Sequence, residues 1–124
     1  MSEKVKSPGL VIIRADERLK YVDKETGAVF YYKRPTQRLQ RTLTKQFMKD
    51  GVLDDEGFIQ TIFEESILDY ENCFSYDDKG KRIALKGAEF LPDIIEGMPS
   101  NIYLELMRKL GIIPDVIDTE IAGN

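Results

Sequence analysis

Between Phe58 and Tyr70 the apolar side chains fall at intervals of three and four: Phe58, Ile59, Ile62, Phe63, small Ser66, Ile67 and Tyr70. That spacing gathers them on one side of a helix for nearly four turns. Glu56, Gln60, Glu64, Glu65 and Glu71 take the opposite side. Asp54-Asp55-Glu56 stands in front, where the positive end of a helix dipole favours acids. The pattern predicts a core helix from 54 through 70, so the rest of the chain must supply a cover for its apolar stripe.

The segments on either side supply candidates for that cover. Leu10-Val11-Ile12-Ile13 is apolar and β-branched and reads as a strand. Arg18–Val22 and Ala28–Tyr32 read as two more, joined by the polar turn Asp23-Lys24-Glu25-Thr26-Gly27. Pro35 closes the β segment, and Thr36 is placed to cap a helix with Leu39, Leu43 and Phe47 on its apolar side and Gly51 at its end. After the core helix, Phe74-Ser75-Tyr76 and Arg82-Ile83-Ala84-Leu85 flank an Asp77-Asp78-Lys79-Gly80 turn. A turn at 88–91, a short helix from Pro92 to Glu96 and a helix capped by Ser100 follow. Ile102, Tyr103, Leu106, Met107 and Leu110 line the last helix, and Gly111 ends it. The expected fold is α+β and helix-dominant, in a single domain over 1–124. A β-hairpin or meander at 10–32 leads into a body of about four helices at 36–110, and 112–124 forms a mobile tail.

Composition narrows the chemistry. Hydrophobic residues make up 42% and charged residues 32% of 124, enough for a core and a hydrated surface. There is no histidine and one cysteine, Cys73, so Ser-His-Asp and Cys-His nucleophiles, internal disulfides and cysteine-based zinc sites are excluded. An enzyme here would run on Asp, Glu, Lys, Tyr or Ser alone. The expectation is no enzyme, no catalytic residue, no cofactor and no metal. Asp54–Glu56 and Asp77–Gly80 lack the spaced oxygens and closing Glu of a calcium loop. Glu64, Glu65, Asp69 and Glu71 lie off the apolar stripe, where carboxylates stay solvated. No apolar run reaches the ~18–20 residues of a membrane span, and the first residues lack a signal-peptide core, which points to the cytoplasm.

Charge is uneven along the chain. Residues 1–50 hold 12 Lys and Arg against 6 Asp and Glu; residues 51–124 hold 6 against 16. An uneven surface is the plain reading, and head-to-tail attraction between copies is another. Lys33, Arg34, Arg38, Arg41, Lys45 and Lys49 have no acid among them. Tyr31 and Tyr32 lie just upstream, where they either recruit a partner strand or alternate between the core and the surface. Candidate partner-binding residues are therefore Tyr31, Tyr32, Arg34, Arg38, Arg41 and Lys45. An acidic protein surface suits them better than nucleic acid, because the second half of the chain would repel a polyanion.

The second half also carries an arrangement of residues. A core helix runs into Ile67-Leu68-Asp69-Tyr70-Glu71-Asn72, then a turn in Tyr76-Asp77-Asp78-Lys79-Gly80-Lys81-Arg82-Ile83, then Gly87-Ala88-Glu89-Phe90-Leu91-Pro92 and a last amphipathic helix. This resembles the tail assembly chaperones of long-tailed bacteriophages and prophages over about residues 55–110. Tyr70 stands where that family often has tryptophan beside the acid. The resemblance implies a non-enzymatic protein of the bacterial host cytoplasm that self-associates. It would bind the tape measure protein and help the major tail protein polymerise around it. A head–tail connector or tail-completion protein, and a small DNA-binding regulator using helix 33–49, are the competing readings.

Overall fold

A computed structural model describes residues 9–112. The expected strand at Leu10–Ile13 is absent: these residues form an arm with no ladder partner among the described residues, and Leu10, Val11 and Ile12 are 94%, 80% and 81% exposed. Four apolar residues alone do not make a strand. They need an edge to pair with, and the nearby edge is left open.

The next two segments do pair. Strands β1 (Leu19–Val22) and β2 (Val29–Tyr32) are antiparallel, with Tyr21 opposite Phe30 and Lys20 opposite Tyr31. Asp23 sets their turn, its buried carboxylate accepting from the Thr26 amide at 3.0 Å and the Thr26 hydroxyl at 2.6 Å. Helix α1 (Gln37–Phe47) begins as expected, with the Thr36 hydroxyl accepting from the Leu39 amide at 3.1 Å. It stops before Gly51, however. Met48–Lys49 (β3) and Val52–Leu53 (β4) form a tight hairpin around Asp50-Gly51, whose φ values of 53° and 80° are those of a two-residue turn with both central residues left-handed.

Helix α2 (Asp55–Ser66) is capped by Asp54, which accepts from the Gly57 amide at 3.2 Å. Gly57 is required by close packing: a Cβ there would lie 2.6 Å from the Phe47 ring of the preceding helix. The helix does not continue to 70. Ile67–Glu71 is strand β5, antiparallel to β2 on the side away from β1. Tyr31 pairs with Asp69 but Tyr32 pairs with Ile67, so Leu68 is an extra residue in a bulge. Without the bulge, Ile67 and Tyr70 would face opposite ways; with it, both are buried.

Strands β6 (Phe74–Tyr76) and β7 (Arg82–Ala84) form the expected hairpin, and its turn is built on Asp77. The Asp77 carboxylate accepts from the amides of Lys79 at 2.9 Å and Lys81 at 2.8 Å, so it serves the backbone. A 3₁₀ turn at Ala88–Phe90 leads into α3 (Leu91–Gly97) and α4 (Ser100–Lys109). Ser100 is the first residue of α4 rather than its cap; Pro99 holds that position without a side-chain bond. Gly111, at φ 75°, closes α4 as expected: its amide donates to the Arg108 carbonyl and the Ile112 amide to that of Met107.

The fold is mixed α+β, but the strands recur as far as Ala84 rather than stopping at residue 32. One core cluster joins the sheet β1-β2-β5 to the four helices, with Ile62 and Phe63 of α2 wholly buried in it. Tyr103 of α4 stacks on Phe63 with ring centroids 4.8 Å apart. The Tyr70 hydroxyl donates to the Gly87 carbonyl at 2.6 Å, tying β5 to the segment before α3. Ile112 is buried; the remainder of the expected tail, 113–124, lies outside the described residues, as do 1–8.

Candidate functional site

The six residues singled out from the sequence separate in space. Side chains alternate along a strand, so β2 sends Phe30 and Tyr32 to the core and Tyr31 to the open face. Tyr32 is 6% exposed, and burial raises its phenol above the ordinary value. It is a core residue and not a partner contact. Tyr31 sits at the middle of the open sheet face, with the Arg18 guanidinium 4.4 Å over its ring. Its hydroxyl donates to Glu71 at 2.9 Å, a bond that raises the phenol's pKa.

Arg34 is engaged within its own chain. Its Nε and Nη2 donate to the two Glu17 carboxylate oxygens at 2.9 and 2.6 Å, and its backbone amide donates to the same carboxylate at 3.0 Å. The paired geometry neutralises the guanidinium. The Arg34 side-chain hydrogen bonds are the main reason that the Glu17 pKa falls to about 2. A carboxyl whose pKa is lowered on folding contributes stability above its unfolded value, near 4.5, and loses it as pH falls toward 2. Glu17→Gln should therefore flatten the decline in urea midpoint between pH 5 and pH 2. Because Arg34 is half exposed, the effect should be about 1 kcal/mol at most and smaller in high salt. An unchanged acid slope in the variant would remove Glu17 as its source.

Arg38, Arg41 and Lys45 are where the sequence puts them. All three are exposed on α1 at three- and four-residue spacing, and no ion pair among the described residues engages them. They form a cationic stripe on the helix side away from buried Leu43. No hydrogen bond, ion pair or ring contact among the described residues joins Tyr31 to that stripe. The carboxylates off the core helix disperse as well. Glu64 accepts from Gln60 on α2, Asp69 lies 3.9 Å from Arg18, and Glu71 holds Tyr31. No group of three or more metal-ligating side chains comes together among the described residues. None of their helices is long and apolar enough to cross a membrane.

Sequence reasoning missed the surface that is most unusual. Large apolar side chains are exposed on three segments outside the main sheet, with Leu10, Val11 and Ile12 on the arm, Met48 and Val52 on β3–β4, and Phe74, Tyr76 and Ile83 on β6–β7; Val22 and Leu68 of the sheet are exposed as well. Beside the last hairpin an apolar groove of about 360 Å³ opens between the sheet end and helices α3 and α4. Ala28, Phe30, Cys73, Phe74, Ile94 and Met98 are among the residues that line it. Burial raises the pKa of the Cys73 thiol in its wall. The Asp50-Gly51 pair was a legible signal for the small hairpin. The groove had none, since its walls come from segments up to about seventy residues apart. No family model matches the chain, and comparison with curated proteins and with solved structures gives no match.

Proposed function

We propose that this protein is a non-enzymatic assembly factor that binds protein clients through exposed apolar side chains, acting as a tail assembly chaperone of the long-tailed phage type. The observation that carries the reading is the apolar surface on three separate segments. Exposed apolar side chains grouped within a short segment are candidate protein contacts, and several such segments suit a long client held at more than one point. The cationic stripe of α1 would add attraction to acidic client segments. The titratable groups with shifted pKa values are engaged in an ion pair, a sheet hydrogen bond or core packing, which gives no acid–base pair aimed at a substrate. The tape measure and major tail proteins enter through the family resemblance alone.

Affinity capture of the tagged protein from its phage-bearing host, read by mass spectrometry, tests the reading. A very long helix-rich protein recovered together with a tail-tube protein is the expected result. Replacing both Tyr76 and Ile83 by serine should cut that recovery about tenfold, the size expected for losing a contact hot spot. One observation favours DNA binding as a second reading, namely that Arg38, Arg41 and Lys45 have no ion pair among the described residues. Recovery of DNA without a protein client, lost on neutralising Arg38 and Arg41, would replace the chaperone by a regulator. A stable ring recovered with portal or head proteins would replace it by a connector.

A further inference from the structure

We infer that the apolar arm Leu10–Ile13 of one copy seats in the apolar groove of a second copy, linking molecules head to tail. Two features at opposite ends of the sheet carry this. The arm leaves from the end at Lys33 and Arg34, and residues 14–17 are fastened there. Lys33 Nζ donates to the Ala15 carbonyl at 3.3 Å, the Glu17 amide to the Arg14 carbonyl at 3.2 Å, and Arg34 grips Glu17 through three hydrogen bonds. The groove opens at the other end, around Thr26, Ala28 and Asn72 to Phe74.

Distance then decides which copy is served. From Ala15 to Leu10 the chain reaches roughly 17 Å at about 3.3 Å per residue, whereas β2 from Arg34 back to Ala28 already covers roughly 20 Å. An arm fastened at 14–17 does not seat its four apolar residues in the groove of its own chain. A second copy has no such restriction. Charge agrees in part: Lys4 and Lys6 precede the arm with no acid in 4–13, whereas Arg14 behind it is paired with Asp16 at 2.9 Å; the one charged residue lining the groove, Asp93, has no ion pair among the described residues. Because arm and groove are different surfaces, the contact is heterologous and propagates into open chains or closes into rings. A four-residue arm buries far less than the roughly 1,600 Å² of a standard interface, so association should be weak and concentration-dependent.

The inference is independent of any client, and its test uses purified protein alone. The native Cys73 in the groove wall is the reporter. The chain carrying Ile12→Cys with Cys73→Ser is mixed with the wild-type chain and oxidised. The expected product on a non-reducing gel is a disulfide-linked heterodimer. Ile12→Cys alone should give a ladder of multimers, and adding Met98→Glu in the groove should abolish it. In sedimentation, the mean mass of the wild-type chain should rise with concentration, while Val11→Asp with Ile12→Asp stays at the 14.3 kDa monomer. The exposed arm residues can be changed without entering the core, so retained melting of that variant separates lost association from lost folding. An intrachain disulfide in Ile12→Cys, dimers that persist without Cys73, or a wild-type mass that never exceeds the monomer would each overturn the inference.

Discussion

Ile62→Asp should abolish the cooperative melting of this protein. Ile62 has no exposed surface and sits in the middle of α2, between the sheet and the other helices. A carboxylate there would be buried with no cation near it, at a cost on the order of several kcal/mol after relaxation. The lost aliphatic packing adds about 2–5 kcal/mol, the cost of truncating a core isoleucine. Together these match the whole stability of a typical domain, about 5–15 kcal/mol. Ile62→Val provides the control, since removing one methylene costs only about 0.5–1.5 kcal/mol. Circular dichroism against temperature reads both. A sharp transition in the aspartate variant would mean that α2 is not the centre of the core.

Phe30→Ala should lower stability by about 3–5 kcal/mol, measured as a fall in urea midpoint at constant slope. Phe30 lies on the central strand at 2% exposure, opposite Tyr70, with its ring stacked on Tyr21 at 6.5 Å. Its removal opens a cavity between the sheet and α3, where the neighbours on the strand cannot collapse inward. Tyr31→Ala, one residue along, should cost much less, because that ring faces solvent and loses only exposed contacts with Arg18 and Glu71. The contrast tests the register directly. Slipping β2 by one residue would exchange the two faces and reverse the order of the two losses.

The boundary between α2 and β5 shows how far the residues could be read unaided. Ile62, Phe63, Ser66, Ile67 and Tyr70 follow a helical spacing, and through Ser66 the helix is real. Beyond it, the bulge at Leu68 stretches the two-residue period of a strand to three. A bulged strand then imitates a helix turn, and periodicity alone does not separate them. Likewise, the arm at Leu10–Ile13 has the composition of a strand but pairs with none among the described residues, while the weaker Met48-Lys49 and Val52-Leu53 pair because Asp50-Gly51 turns them back on each other.

What the sequence determined by itself was local: the β1–β2 hairpin through Asp23 and Gly27, the capped start of α1, the buried side of α2, the Asp77 turn and the glycine stop after α4. In each case the deciding contacts lie within a few residues along the chain. It also removed histidine chemistry and internal disulfides, since histidine is missing and cysteine is single. Only the tertiary structure decided that β5 completes the sheet, that Tyr32 is buried and Tyr31 is not, and that Arg34 is neutralised by Glu17, seventeen positions away. It alone assembled the groove beneath Phe74. Those outcomes depend on which distant segments meet, and pairing energies between them are not written in the spacing of either segment alone.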